Sequence, residues 1–168
     1  MSTMRATPAP TWNAKLRAPF ATLGIRTAGG ALTELAYLPV GERAQSPTDR
    51  VAERTVHELA RYLDDPEFGF TVPLAPGGTP FQRRVWDAIR AIPRGESRTY
   101  AEVARAVASA ARPVGQACGS NPIALIVPCH RVIGSRGALG GFMHAASGVP
   151  IDIKRWLLAH EGYRFGLF

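Results

Sequence analysis

The sequence of 168 residues contains little cysteine and no long hydrophobic run, and each absence narrows the class of protein. Its two cysteines, Cys118 and Cys129, are too few for a disulfide framework, and no four-ligand Cys/His pattern predicts a zinc site. No apolar segment approaches the roughly 20 residues that span a bilayer. Residues 1–5 also lack the apolar core of a signal peptide. These features predict a cytoplasmic protein that holds no metal and contacts no membrane.

Positive charge is concentrated in the second half of the chain. Residues 1–78 contain eight Lys/Arg and eight Asp/Glu, whereas residues 79–168 contain twelve and five, so the whole net charge of +7 lies there. Eleven of these twelve cations are arginine, and Lys154 is the exception. The asymmetry indicates that the second half contacts a polyanion such as nucleic acid. A basic surface that serves only solubility is the alternative.

The first half of the chain has the pattern of a small α/β domain. Extended segments are predicted at 12–16, 21–25 and 31–38, with Gly29-Gly30 as the turn between the last two. Apolar residues at helical spacing predict a helix from Thr48 to Leu63. Residues 68–78 contain two prolines and three glycines and indicate a linker. The first domain is therefore expected over 1–76, with a loose N-terminal tail, and the second over 77–168.

The second half has clear helix start signals. Thr79 followed by Pro80 predicts a helix N-terminus, and the Thr99-x-x-Glu102 spacing is a capping box. The helix that starts at Thr99 is predicted to run through about residue 110, and another to start near 111–113. A final helix is expected over 151–160. Two short helices with a tight junction, 99–110 and 111–118, are typical of a helix-turn-helix.

The motif Pro128-Cys129-His130-Arg131 is the strongest indication of chemistry. It follows an apolar run, residues 123–127, that predicts a buried strand. A cysteine thiolate is a strong nucleophile near neutral pH, and an adjacent base can generate it. From the dipeptide alone, a core cysteine that happens to precede a histidine is the alternative.

Residues 121–134, Asn-Pro-Ile-Ala-Leu-Ile-Val-Pro-Cys-His-Arg-Val-Ile-Gly, resemble the active-site segment of the O6-alkylguanine-DNA alkyltransferases. These proteins are also called methylated-DNA–protein-cysteine methyltransferases, and the resemblance extends from Thr79 to Gly162. It implies an α+β fold of two domains: a small ribonuclease H-like α/β domain, then a mainly helical, winged-helix-like domain with the helix-turn-helix.

The resemblance also implies an activity. The alkyl group of O6-alkylguanine in double-stranded DNA would pass irreversibly to Cys129, once per protein molecule, with O4-methylthymine as a further candidate substrate. No cofactor is implied. The protein would bind the minor groove as a monomer and extrude the damaged nucleotide from the helix.

Several residues match family positions at the reacting centre. By resemblance, His130 accepts the thiol proton through a water and Glu161 orients and stabilises that histidine. Asn121 matches the asparagine that holds the active-site turn. Lys154 matches a lysine that favours the thiolate or the departing base oxygen.

Other residues match positions that contact DNA or the extruded base. Arg112 matches the arginine that fills the vacated stack, and Tyr100 matches the tyrosine that helps rotate the nucleotide. Small residues would let the recognition helix approach DNA closely. The residues assigned to DNA are Arg112, Tyr100, Gly115, Ala117 and Arg131, and those assigned to the base pocket are Tyr100, Val132, Phe142 and Met143.

The chain departs from the family pattern after Gly141. The usual tyrosine is Phe142, and the segment to Pro150 is longer and contains no Gly-Gly pair. This difference leaves the substrate range open. Three alternative functions also stay open: a non-catalytic binder of alkylated bases, a cysteine hydrolase that uses Cys129, His130 and Glu161, and a regulator that only binds DNA.

Overall fold

An antiparallel sheet of three strands forms the first part of the fold. The computed structural model describes residues 11–165, so the predicted loose tail lies outside the described residues. Strands β1 (Ala14–Arg17), β2 (Thr22–Ala28) and β3 (Ala31–Leu38) pair in that order. Gly29 and Gly30 have φ angles of 58° and 78° and form the predicted turn, because glycine adopts positive φ without steric cost. The three predicted extended segments are confirmed, and β2 runs three residues further than expected.

Helix α1 (Arg50–Asp64) packs on this sheet. Asp49 caps it by accepting a hydrogen bond from the backbone N–H of Ala52 at 2.8 Å. Ala52, Leu59 and Tyr62 are buried from this helix. The helix predicted from 48 to 63 is thus confirmed within two residues at each end.

The segment predicted as a linker is attached to the sheet. Leu74 forms a parallel bridge with Leu32 of β3, and the N–H of Leu32 donates to the Pro73 carbonyl at 2.8 Å. Buried Glu58 of α1 accepts hydrogen bonds from the N–H groups of Thr71 and Val72 at 3.0 and 3.1 Å. These contacts order the chain between the two halves.

Four helices dominate the second part. They are α2 (Pro80–Arg90), α3 (Tyr100–Ala106), α4 (Ala111–Gly119) and α5 (Val149–His160). Short strands β4 (Arg98–Thr99) and β5 (Val132–Ile133) pair in parallel. Thr79 and Thr99 form the expected N-caps, each in a complete capping box. Helix α3 ends four residues before the predicted position, because Ala108 takes a left-handed conformation with φ of 53° that a helix cannot contain.

The apolar run 123–127 is a buried turn, so the strand predicted there is wrong. Leu125 has φ of 68°, and the N–H of Val127 donates to the Ile123 carbonyl at 3.0 Å. The flanking prolines, Pro122 and Pro128, cannot donate to a sheet ladder. The run contacts β3 through a single bridge between Leu35 and Ile123. A compact turn, anchored on the first sheet, therefore carries the Pro-Cys-His-Arg motif.

Side chains from both halves of the chain share one hydrophobic cluster. Leu35 and Leu59 from the first half pack in the same cluster as Val85, Ile123 and Leu157 from the second. In addition, the Phe20 and Trp156 rings lie 4.6 Å apart between centroids. The fold is therefore α+β, with five α-helices and two small sheets in the described residues. Over the same range no helix combines the length and apolar character needed to cross a bilayer.

Candidate active site

Cys129 lies at the start of a short 3-10 turn, Cys129–Arg131, directly after the buried turn. It is 5% exposed and lines a cavity of about 500 Å³. The wall of the cavity comes from α3, α4 and the loop after Gly141, through Tyr100, Ala111, Arg112, Gly115, Gln116, Cys118, Gly119 and residues 141–146. The volume falls within the range of small-ligand pockets.

Asn121 fixes the position of the Cys129 thiol. Its side-chain Nδ2 donates to Cys129 Sγ at 3.3 Å and to the Val127 carbonyl at 2.8 Å. Its Oδ1 accepts from the backbone N–H of Ile123 at 3.0 Å. The side chain thus spans both ends of the buried turn.

His130 is fully buried and forms a hydrogen bond with Glu161. Its Nε2 lies 2.8 Å from Glu161 Oε1. Glu161 caps the C-terminus of α5, 31 residues along the chain, and is only 9% exposed. The other ring nitrogen, His130 Nδ1, has no hydrogen-bond partner within residues 11–165. The predicted histidine–glutamate pair is therefore assembled by the fold.

Two further side chains hold the Glu161 carboxylate. Tyr62 of α1 donates its hydroxyl to Oε1 at 2.8 Å. Arg131 donates from Nε to Oε2 and from a terminal nitrogen to Oε1, both at 2.9 Å. Burial alone would raise the pKa of the Glu161 carboxyl, but the hydrogen bonds and charges of His130 and Arg131 outweigh it and hold that pKa well below its usual range. Glu161 is therefore an ionised, fully hydrogen-bonded acceptor.

The charge on Glu161 decides the tautomer of His130. A carboxylate only accepts hydrogen bonds, so Nε2 must carry the proton of the Glu161 contact. Burial, with a smaller contribution from the charges of Arg131 and Lys154, lowers the pKa of His130 despite the opposing hydrogen bond and charge of Glu161. The ring is therefore neutral at neutral pH, with the Nδ1 lone pair available to accept a proton.

The Cys129 thiol is not a preformed thiolate. A hydrogen bond with Cys118 and then burial raise its pKa well above the ordinary value, while the Asn121 hydrogen bond and the Lys154 charge lower it. The raising effects are larger. Cys129 consequently needs a base before it can act as a nucleophile, and the neutral His130 is the base beside it in the chain.

Lys154 is buried on α5 and directs its ammonium group at the backbone. Nζ donates to the carbonyls of Val132 at 2.6 Å, Leu139 and Gly141 at 3.0 Å. All three ammonium donors are thereby used. Burial lowers the pKa of Lys154 to about 8, and the neighbouring thiols oppose that shift. Lys154 therefore acts on Cys129 through its charge and secures the loop that ends at the cavity.

Arg112, Gly115 and Tyr100 lie where the cavity meets the surface. Arg112 is exposed in the first turn of α4, and a Cβ built on Gly115 meets no atom within 4 Å. The Tyr100 hydroxyl donates to the Gly141 carbonyl at 2.9 Å, which connects α3 to the opposite wall. Burial raises the pKa of Tyr100, so it is a neutral hydrogen-bond donor.

Three predicted contacts are not supported by the structure. Ala117 is 2% exposed and faces the core, where its carbonyl accepts from Trp86 Nε1 at 2.9 Å, so it does not border DNA. Arg131 is fully engaged by Glu161 and by the Ile92 carbonyl at 2.6 Å, so it is not free to contact DNA. Val132 is completely buried in β5 and does not line the cavity. Each of these residues faces the protein interior because of the local backbone conformation, which the sequence alone did not reveal.

The loop after Gly141 forms one wall of the cavity. Phe142 is 7% exposed, and Met143 and His144 have positive φ angles of 52° and 61°. Left-handed backbone favours glycine, which these two positions lack. The His144 ring packs against α4, because a Cβ on Gly119 would lie 2.3 Å from its Cε1 atom. Phe142 and Met143 therefore line the same cavity as Cys129.

Sequence reasoning missed the contribution of Tyr62 and the position of Cys118. Tyr62 is separated from Glu161 by 99 residues, and nothing local marks it as different from a core tyrosine. In the sequence, Cys118 is notable only because two cysteines are too few for a disulfide framework. Cys118 lines the cavity from α4. Arg112, Gly115 and Cys118 are three residues apart, and this helical spacing could have suggested that they share one face of the helix.

Comparison with known proteins finds relatives of both the sequence and the fold. The protein family described as "6-O-methylguanine DNA methyltransferase, DNA binding domain" matches residues 80–163. A methylated-DNA–protein-cysteine methyltransferase of Methanosarcina mazei is 44% identical over 137 residues, 77% of this chain and 84% of the relative. The Methanosarcina acetivorans protein of the same name is 50% identical over 107 residues, 62% of this chain. This chain spans 65% of that relative's length, which is less than two thirds.

A solved structure shares the fold. The crystal structure of Mycobacterium tuberculosis OGT in complex with DNA superimposes with a TM-score of 0.74 at 40% identity, covering 88% of this chain and 90% of that one. Fold and site together define an α+β protein with a buried cysteine at a cavity and an adjacent histidine that is hydrogen-bonded to a buried glutamate. The chain belongs to the methylated-DNA–protein-cysteine methyltransferase family.

Proposed function

We propose that this protein repairs DNA by transferring the alkyl group of O6-alkylguanine, or of O4-methylthymine, to Cys129. The observation that carries the proposal is the hydrogen-bonded arrangement at His130. Its Nε2 donates to the ionised Glu161, while its Nδ1 is free and Cys129 lies next to it in the chain. Family membership supports the same activity.

The first step is proton transfer from the thiol to the histidine. His130 Nδ1 accepts the Cys129 proton through one bridging water, because the histidine is neutral and that atom has an unused lone pair. The imidazolium that forms is stabilised by the Glu161 carboxylate 2.8 Å away. Glu161 is therefore a positioning and charge-stabilising residue, and Tyr62 and Arg131 hold it in place.

The second step is displacement at the alkyl carbon. The Cys129 thiolate attacks that carbon, a carbon–sulfur bond forms, and the bond between carbon and O6 breaks with its electron pair on the base. The base takes up one proton, which balances the proton removed from the thiol, and the restored guanine remains in the DNA strand. The thioether product has no route back to a thiol, so each protein molecule acts once.

The substrate must reach Cys129 by leaving the DNA stack. The cavity is lined by α4, and Arg112 is exposed at its rim. We assign Arg112 to the space left by the extruded nucleotide and Tyr100 to the extruded base. The Gly115 surface has room for close backbone approach to a minor groove. The excess of arginine after residue 78 supports binding to phosphates.

We also assign the finer architecture. Helices α3 and α4, joined by the four residues 107–110, form the helix-turn-helix, and β4 and β5 belong to a winged-helix-like domain over 77–168. The sheet β1–β3 with α1 forms a ribonuclease H-like domain over 1–76. Support comes from the order of elements in each half, and the protein would act in the cytoplasm as a monomer on double-stranded DNA without a cofactor.

A single-turnover assay tests the proposed function. Incubation with a slight excess of O6-methylguanine duplex should give a reaction amplitude of one methyl group per protein molecule. The Cys129→Ser variant should bind the duplex without accepting the group. More than one product per protein molecule would instead indicate a hydrolase, and binding without transfer by the native protein would indicate a non-catalytic lesion binder.

A further inference from the structure

A second thiol shares the cavity with the nucleophile. Cys118, in the last turn of α4, and Cys129 both line the main cavity, and they also line a smaller one of about 110 Å³ next to it. The Cys118 side chain is also the largest influence on the pKa of the Cys129 thiol, which agrees with this proximity. They are the only cysteines of the chain, and both are free. Two thiols that border the same cavity can be joined by oxidation.

Asn121 fixes the two cysteines relative to each other. Its backbone N–H donates to the Cys118 carbonyl at 3.2 Å, and its side chain donates to Cys129 Sγ at 3.3 Å. One residue therefore contacts both cysteines at once. A disulfide forms without large backbone movement only where the two backbones are already close. The Asn121 contacts link the Cys118 backbone to the Cys129 side chain and so limit the distance between the two residues.

The surroundings favour reaction of this pair with an oxidant. Cys118 is partly exposed, whereas Cys129 is 5% exposed, so a small molecule entering the cavity reaches Cys118 more easily. The buried Lys154 ammonium favours the thiolate form of Cys129, although the larger effects of Cys118 and burial keep the pKa of that thiol raised overall. The thiolate is the form that a peroxide oxidises.

We propose that a peroxide converts Cys118 and Cys129 into a reversible disulfide, and that this bond blocks alkyl transfer. The inference rests on the proposed function for the identity of the blocked reaction. In the first step the Cys118 sulfur attacks a peroxide oxygen, the O–O bond breaks, and one water leaves when hydrogen peroxide is the oxidant. In the second step the Cys129 sulfur attacks the sulfenic acid, the S–O bond breaks, and a second water carries away the thiol proton.

The disulfide preserves a protein that can act only once. Two sulfur atoms are oxidised while the peroxide is reduced, and a thiol reductant reverses the change. Without Cys118, oxidised Cys129 has no neighbouring thiol and proceeds to the sulfinic acid, which thiols do not reduce. Cys118 thus protects the nucleophile from permanent loss during oxidative stress.

Mass spectrometry of peroxide-treated protein tests the proposal. The full chain is exposed to hydrogen peroxide, free thiols are blocked with N-ethylmaleimide, and intact mass and tryptic peptides are measured. The expected product is lighter than the reduced protein by about 2 Da, takes up no maleimide and gives a peptide that links Cys118 to Cys129. Methyl transfer from O6-methylguanine duplex should fall at least tenfold, and dithiothreitol should restore most of it.

The matched variant is Cys118→Ser, with each protein compared to its own untreated activity. This variant should give no linked peptide, and dithiothreitol should restore little of its lost transfer. Maleimide uptake by the treated native protein, or equal recovery in both proteins, would overturn the proposal. If the disulfide forms but the untreated protein never transfers a methyl group, the proposed function and the proposed block of alkyl transfer are both overturned. The pairing of the two thiols would still stand.

Discussion

Substitution of Gly115 by alanine should change stability and DNA affinity in opposite directions. Gly115 is the fifth of nine residues in α4, and a Cβ added there meets no atom within 4 Å. The folded protein alone therefore gains no clash from the methyl group. In the proposed complex the same surface faces the minor groove, where the added methyl group would separate the helix from the sugar-phosphate backbone.

The two magnitudes follow from the position of the residue. Glycine in a helix interior costs about 0.5–1 kcal/mol relative to alanine, so Gly115→Ala should be more stable by that amount. For a protein of this size the gain corresponds to a rise in melting temperature of roughly 1–4 °C. An overpacked contact costs about 1–3 kcal/mol, which corresponds to a loss of DNA affinity of roughly 5-fold to 150-fold.

Thermal unfolding measures the change in stability, and duplex binding at one fixed salt concentration measures the change in DNA affinity. Gly69→Ala is the matched control, because a Cβ on this exposed loop glycine also meets no atom within 4 Å and Gly69 lies outside α4. The control should keep its full DNA affinity. An unchanged affinity of Gly115→Ala would refute the docking of α4 on DNA, and a lower melting temperature would refute the open surface at Gly115.

Three further predictions concern the rim, the relay and the loop. Arg112→Ala should slow repair of duplex DNA at least tenfold more than reaction with free O6-benzylguanine, because only the duplex needs a stack filler; equal losses would assign Arg112 to the pocket. Glu161→Gln should slow transfer on the order of 100-fold with duplex affinity retained, and unchanged kinetics would remove Glu161 from the relay. Gly119→Ala should slow the O6-benzylguanine reaction because the added Cβ meets the His144 ring. Addition of His144→Ala should restore the rate. If the rate effects of the two substitutions are instead simply additive, that contact is excluded.

The pH dependence of transfer tests the protonation state of His130. Burial lowers the pKa of this histidine, so it stays neutral, and able to accept a proton, to more acidic pH than an ordinary histidine. The transfer rate should therefore hold as pH falls from 7.5 through about 6.5 and decline only below that value. A decline centred at or above the ordinary histidine pKa would contradict a buried neutral base.

Local signals in the sequence predicted the helix starts well, and they also singled out Cys129 and His130 as the candidate reacting pair. The capping boxes at Thr79 and Thr99 are satisfied within the helix itself, so they depend on nearby residues only. Adjacent residues Cys129 and His130 needed no long-range information either. The pairing of His130 with Glu161 was predicted from family resemblance, since 31 residues separate them.

Features that depend on distant contacts were not predictable in this way. The run 123–127 has the composition of a buried strand, yet its burial comes from a turn that packs on the first sheet. Arg131 has the charge expected of a DNA contact, yet Glu161 and the Ile92 carbonyl use its donors. Tyr62 reaches Glu161 only because α1 packs against the second half of the chain. No periodicity encodes these three-dimensional neighbours.

The most direct test of the account is the intact mass of the protein after incubation with O6-methylguanine duplex DNA. We predict one added methyl group, an increase of about 14 Da, with peptide mapping that places it on Cys129 and not on Cys118. The modified protein should then accept no second group. An unchanged mass, or a methyl group on Cys118, would contradict the assignment of Cys129 as the alkyl acceptor.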